Sequence, residues 1–368
     1  MASRLKVSKT SKPMETKLAS EVLTHRNQAS DLTIIIPAHN ESESIADTIL
    51  SLKVQTVPAK EIIVVDDCST DETHDIAMSL GVTTVTPPKN TGSKAGAQNF
   101  ALPKVSTEFT MAIDADTVLA PDAIEKLSQA FLDSEVVAAS GFVIPRYIKT
   151  IWEKGRYIEY LLAFTWYKPI QDYYQKPLIS SGCFSMYRTE VLKKMGGWST
   201  RTLAEDMDLT WSFYNSGHSV RFCPDAVCYP IEPENFNYMK KQLRRWSHGY
   251  IQNVQLHWKD ILEIPYLRSF IAVSLWDAVV ASIAYLILLP LFAPLLSNPI
   301  ILLVYVIDIP VVLVPVLFKA REREEVRKAL ASMPSFFVLR TVNAVFMIEA
   351  LFSEILLNKK FHTYEKGH

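Results

Sequence analysis

The chain has 368 residues and a formal net charge of −1, so no overall field gathers nucleic acid or other polyanions. That length allows roughly two or three units, each with its own core. With 49% hydrophobic residues and a mean hydropathy of +0.10, the composition is unusually apolar for a soluble protein, and most of the excess lies beyond residue 266. Cys68, Cys183, Cys223 and Cys228 form no CxxC pair and have no histidine at zinc-ligand spacing, which argues against a zinc module and predicts reduced, mostly buried thiols.

Residues 1–30 carry Arg4, Lys6, Lys9, Lys12, Lys17 and Arg26 and no apolar block long enough for a secretory signal. They read as a basic, flexible tail, and the domain that follows is expected in the cytosol. From 31 to about 143, short β-branched runs alternate with helical ones. "LTIIIP" (32–37), "EIIVVDD" (61–67), "VTTVTP" (82–87) and "FTMAIDAD" (109–116) are too continuously apolar to face water on one side, as buried parallel strands are. Helices are predicted over 41–54, 71–80, 93–102 and 121–132, with Thr70 as an N-cap, Gly81 as a stop and Pro121 in a first turn. This alternation predicts a βαβ sheet that binds its ligand at the carboxyl ends of its strands.

Acidic residues cluster at those ends. Asp66 and Asp67 follow one strand. Asp114 and Asp116 follow another, one residue apart, a spacing that suits a hard divalent cation bridging diphosphate oxygens. "NTGSKAGAQN" (90–99) offers Gly92 and Gly96 for close backbone approach, Lys94 for phosphate charge and Asn99 for holding an adjacent loop. Further on, "RTLAEDMDLTW" (201–211) packs Glu205, Asp206 and Asp208 before an amphipathic run; helix capping alone would explain acidic residues there. "QLRRW" (242–246) lies in the basic, aromatic stretch 237–258. That stretch either lies at a membrane surface, with Lys240, Lys241 and Arg244 toward head groups and Trp246 and Trp258 at the interface, or aims the face shared by Gln242, Arg245 and Trp246 into the crevice, where a cation and an aromatic ring suit diphosphate and sugar.

Beyond Pro265, the segments 270–296 and 300–318 are each long enough to cross a bilayer, which needs roughly 20 apolar residues. The loop 319–328 carries five basic residues, as a cytosolic loop does. A third segment, 335–357, contains Arg340, Glu349 and Glu354 and reads either as a span or as an interfacial helix. Asp277 and Asp308 lie within the first two segments and are expected to pair across helices or to face a cavity.

The ordered set "PAHNE" (37–41), "VVDDCSTD" (64–71), "GSKAGAQN" (92–99), "DAD" (114–116), "AED" (204–206) and "QLRRW" resembles the family 2 glycosyltransferases, and within them the membrane synthases of poly-N-acetylglucosamine, hyaluronan and cellulose. The resemblance implies an α/β fold of GT-A type, a Rossmann-like nucleotide-sugar-binding domain over 31–234. It also implies an amphipathic interfacial segment over 235–265, a membrane domain over 266–358 with two or three transmembrane helices, and a tail over 359–368.

Residue by residue, it implies that Glu41 and Asp66 or Asp67 hold the base and ribose, Lys94 the diphosphate, Asp114 the nucleotide and Asp116 a Mn2+ or Mg2+ ion. Asp206 matches the general base, with Glu205 beside it. Gln242, Arg245 and Trp246 match the motif over the diphosphate and acceptor, and Gly182 and Cys183 of "SSGCFSMYR" (180–188) fall where an acceptor loop is expected.

Three functions are weighed on this basis. The first is single, inverting transfer from a nucleotide sugar, with UDP favoured, to a lipid or other membrane-proximal acceptor. The second is processive polysaccharide synthesis as a homo-oligomer or with a partner, since two or three spans enclose no channel. The third is an inactive membrane scaffold. All three imply an integral protein of the cell membrane with its catalytic domain in the cytoplasm.

Overall fold

The computed structural model describes residues 31–295 and 304–361. The basic segment 1–30, the start of the 300–318 segment and most of the 359–368 tail lie outside the described residues.

Eight strands form one mixed sheet. They are β1 (Leu32–Ala38), β2 (Glu61–Asp66), β3 (Thr83–Val85), β4 (Phe109–Ile113), β5 (Thr117–Leu119), β6 (Val136–Val143), β7 (Phe184–Arg188) and β8 (Ser219–Pro230), in spatial order β3-β2-β1-β4-β7-β6-β8-β5. The first four are parallel, and the read positions of these strands hold to within a few residues. β1 and β4 are buried almost throughout because helices cover both faces, which is why no polar alternation shows in their sequences.

The chain winds from β1 outward to β3 and then returns to place β4 on the other side of β1. Connections leave β1 and β4 in opposite directions, and a crevice opens beyond their carboxyl ends. β7 runs antiparallel beside β4, pairing Phe184 with Ile113, and so delivers the 180–183 loop to the same end. The sheet as a whole is a GT-A-like α/β arrangement.

Helices follow the strands as expected: Ile45–Lys53, Thr73–Ser79, Lys94–Ala101 and Ala123–Ser128. Ser93 caps the third of these by accepting the amide of Gly96 at 3.1 Å. The expected Thr70 cap does not form. Glu72 occupies the N-cap position, and the Thr70 amide and hydroxyl instead donate to Asn40 Oδ1 at 2.8 and 3.2 Å. Gly81, at φ +66°, follows that helix as a stop. Of the cysteines, only Cys228 is buried; Cys68, Cys183 and Cys223 are partly exposed, and all four are free thiols.

Apolar cores fill both sides of the sheet. One includes Ile34, Ile36, Met111 and Tyr157 together with Val312, Val316, Ala320 and Phe336 from the C-terminal helices. The other joins Ile35, Val65 and Ala112 to Trp198 and Trp211. Two helices, Leu267–Leu295 and Val326–Leu356, are long and apolar enough to cross a membrane. Between them, Val304–Glu322 buries Val312 and Val316 against the sheet domain, and the 319–328 loop is helical through Glu322 and again from Val326. Arg340 donates to Asp277 at 3.0 Å, which gives the pairing across helices expected for that aspartate.

Candidate active site

The carboxyl ends of β1, β2 and β4 open into a cavity of about 810 Å3 whose wall includes Glu41, Asp67, Lys94, Asp114, Asp116 and Asp206. Further parts of its wall come from the 180–183 loop, the Phe236–Leu256 helix that carries QLRRW, and Ser274, Ala278, Asn343 and Met347 of the two long apolar helices.

At the β2 end the two aspartates part. Asp67 faces the cavity, and its carboxylate accepts the amide and hydroxyl of Thr91, each at 2.8 Å. Asp66 is not part of the wall; it accepts the Ser69 amide at 3.1 Å and lies 3.3 Å from His74 Nδ1, so it shapes the turn after β2. Gly92 sits in the wall at φ +78°, where a side chain would be strained. Gly96 does not serve ligand approach as expected. A Cβ there would lie 2.8 Å from Thr91 Cβ, so its bareness admits the threonine that holds Asp67. Asn99 does hold a loop: it receives the Trp198 amide at 2.9 Å and donates to the Trp198 carbonyl at 2.6 Å.

Lys94 spans the cavity floor. Its ammonium pairs with Asp114 and donates to the Gly182 carbonyl at 2.9 Å. The Gly182 amide in turn donates to Asp206 Oδ2 at 2.8 Å, and the Met207 amide to Asp206 Oδ1 at 2.9 Å. Cys183 joins the same wall, its carbonyl accepting the Asp114 amide at 3.3 Å.

Asp116, 6% exposed, accepts the Thr117 hydroxyl at 3.0 Å. Among the described residues no group of three His, Cys, Asp or Glu side chains could cage a metal. Asp116 with Asp114 nearby fits a different arrangement, in which Mg2+ or Mn2+ is held by one or two carboxylates, water and substrate phosphates.

The three acidic residues at 205–208 divide by environment on the helix Glu205–Asn215. Burial pushes the Glu205 carboxyl above its ordinary range, Asp206 adds to this, and Lys94 and Arg245 oppose it. Asp208 lies away from the cavity wall. Burial works against its charge, but Arg201, at 2.7 and 2.8 Å, and His257 Nε2, at 2.7 Å, bring its pKa down to about 2. Helix capping thus does not account for the cluster.

Gln242, Arg245 and Trp246 all face the cavity, the second of the two placements open from the sequence. An adjoining face of their helix packs Met239 and Leu243 against Leu339 and Phe346 of the last helix. Several cavity residues escaped the sequence reading. Glu159, Tyr160, Lys168 and Glu232 line the wall, and Arg156 is buried behind it. On a helix read alone, "EKGRYIEY" looks like a solvated face. Lys168 donates to Ser181 Oγ at 2.8 Å and to the Ile179 carbonyl at 3.1 Å; burial lowers its pKa to about 8 against the pull of Cys183 and Asp206.

Comparison with known proteins agrees with this architecture. The model of Glycosyl transferase family 2 matches residues 33–196. A poly-beta-1,6-N-acetyl-D-glucosamine synthase of Staphylococcus epidermidis is 29% identical over 233 residues, covering 62% of this chain and 56% of the relative. That of Staphylococcus aureus strain COL is 28% identical over 228 residues, covering 61% and 55%. The chain therefore spans about half the length of the curated relatives it matches. A solved mannosyltransferase from Pyrobaculum calidifontis, in complex with GDP-Man and Mn2+, has the same fold, with a TM-score of 0.58 at 19% identity over 94% of this chain and 98% of that one. Residues 33–196 thus form a Glycosyl transferase family 2 domain, and the chain is homologous over about 230 residues to poly-beta-1,6-N-acetyl-D-glucosamine synthases.

Proposed function

We propose that the protein is a membrane-bound, inverting transferase that moves a sugar from a nucleotide sugar onto a glycan hydroxyl, extending a polymer of the N-acetylglucosamine type. The observation that carries this reading is the bridge from Asp114 through Lys94 and Gly182 to Asp206, which joins a cation and a candidate base in one cavity. UDP-N-acetylglucosamine is the first donor to test, because the relatives are named for a polymer of that sugar.

In this reading Glu41 and Asp67 hold the base and ribose, and Lys94, Arg245 and Gln242 hold the diphosphate. Asp206 takes the acceptor hydroxyl's proton while its oxygen bonds to the anomeric carbon. The bond from that carbon to the diphosphate breaks with inversion, and its electron pair leaves on the nucleoside diphosphate. Glu205, buried beside Asp206, keeps negative potential at the base. Trp246 offers an aromatic face to the acceptor ring, and Gly182 and Cys183 line the same cavity. When bound at Asp116 and Asp114, Mg2+ or Mn2+ would neutralise charge on the departing diphosphate.

The two long apolar helices and the basic run at 319–328 support an integral membrane protein with its catalytic domain in the cytoplasm. A polymer channel would then require a homo-oligomer or a partner.

A second reading, transfer of one sugar to a lipid acceptor, draws on the apolar part of the cavity wall, where Ala163, Phe164, Ala278 and Met347 meet. The homology to polymer synthases weighs against it. The size of the product made from UDP-N-acetylglucosamine separates the two, as a ladder or high-mass glycan supports extension and a single discrete glycolipid supports the second. An idle scaffold is excluded by any donor-dependent turnover that Asp206→Asn abolishes.

A further inference from the structure

The helix Ile151–Leu162 carries an arginine that none of the family motifs contains. Arg156 is 0% exposed and sits directly behind the cavity wall. Its Nη2 donates to Gln242 Oε1 at 2.6 Å, and its Nε lies 3.4 Å from Glu232 Oε2. The guanidinium carbon is 4.2 Å from the centroid of the Trp246 ring, and Nη1 pairs with Glu159. Tyr160 donates to the other Glu232 oxygen at 2.7 Å, and the Gln242 amide nitrogen faces Glu232 at 3.5 Å. One planar cation therefore meets two of the three side chains of the QxxRW pattern. It fixes the direction of the Gln242 amide and lies against the ring of Trp246.

We propose that Arg156 is the positioning residue of the acceptor side of the cavity, holding Gln242 and Trp246 in their working orientation while Glu159 and Glu232 balance its charge. This deepens the function proposed above and rests on it for the roles of those two side chains. Arginine suits the task because its fork and flat face act at once: edge nitrogens bind carbonyl and carboxylate oxygens while the face covers an aromatic ring. An ammonium can do one or the other. Burial alone would weaken the charge, but Glu159, Tyr160 and Glu232 more than offset this and hold the pKa above its ordinary value.

Arg156→Lys tests the proposal with the charge retained. A second variant, Arg156→Met combined with Glu232→Gln, removes both partners of the buried pair and leaves no unpaired carboxylate at 232. The first readout needs no catalysis. Acrylamide quenching is measured for each protein and for its Trp246→Phe counterpart, and the difference reports the Trp246 ring. We expect that component to become about twofold more accessible in both variants as the ring loses its cover.

The second readout is kinetic. Acceptor KM is expected to rise about tenfold or more through Trp246, donor KM to rise by a smaller factor through Gln242, and donor hydrolysis without acceptor to persist. Unchanged Trp246 quenching in folded Arg156→Lys overturns the proposal. So does a fall in kcat with both KM values unchanged, the mark of a smaller active fraction. If the functional reading itself fails, the parent consumes no donor, and the quenching readout still decides the role of Arg156.

Discussion

The backbone amide of Gly182 lies 2.8 Å from Oδ2 of Asp206 and donates to it. The carbonyl of the same residue receives Lys94 at 2.9 Å, so one residue couples the two sides of the cavity. A Cβ at Gly182 would lie 2.8 Å from Asp206 Oδ2 and 3.2 Å from Lys94 Nζ. Gly182→Ala should therefore displace the carboxylate and lower kcat by about 10- to 100-fold, since small misplacements of a reacting group carry that penalty. Melting temperature should stay close to that of the parent. A variant with parental kcat would mean that Asp206 needs no such support.

Lys94→Met removes the cation between Asp114 and Gly182. Donor KM should rise about tenfold or more, with weaker binding of free nucleoside diphosphate, because a charged hydrogen bond to phosphate is lost from a mostly buried position. Isothermal titration with the diphosphate checks this directly. Binding equal to the parent's would remove Lys94 from the diphosphate site.

Glu205 and Asp208 should respond to pH in opposite senses. The folded-state pKa of Glu205 is raised, so its stabilising, protonated form prevails in acid and is lost as pH rises through that value. Glu205→Gln is accordingly expected to melt above the parent at neutral pH, with the difference vanishing below about pH 4. Equal melting temperatures of parent and variant at about pH 7.5, or a difference as large at about pH 4 as at about pH 7.5, would contradict this.

Asp208 is depressed to about 2 and is 0% exposed, so its contribution is present above the ordinary carboxylate pKa and lost as pH falls toward 2. Asp208→Asn removes the carboxylate of Arg201 and leaves His257 with Asp260 alone, and should cost about 2 kcal/mol, a value kept low because Arg201 is half exposed. Thermal melts at pH 7 should show the loss, while binding of nucleoside diphosphate persists in the folded protein.

The elements most legible in the sequence were those whose residues answer to one local rule. Parallel strands such as Leu32–Ala38 are apolar on both faces, and the acidic ends of β2 and β4 follow them directly. The side chains that escaped are placed by partners far along the chain. Arg156 meets Gln242 and Trp246, more than eighty residues later, and nothing in its own helix distinguishes it from a solvated cation.

Thr70 was misread as a cap because Asn40, thirty residues earlier, captures its amide. Hydropathy likewise identifies the C-terminal helices as apolar but does not say what covers them. Val312 and Val316 are buried against the sheet domain, whereas Val311 and Val314 on the same helix are exposed.

The most direct test of the central claim is release of UDP from UDP-N-acetylglucosamine by the purified, membrane-reconstituted protein with Mn2+ or Mg2+, compared with Asp206→Asn. The account predicts release by the parent together with a lengthening glycan, and a fall of about 100-fold or more in the variant, as expected for loss of a general base, with nucleotide binding intact. Equal release by the two proteins would contradict Asp206 as the base. Turnover confined to a different nucleotide sugar would contradict the donor assignment while leaving the cavity as the site of transfer.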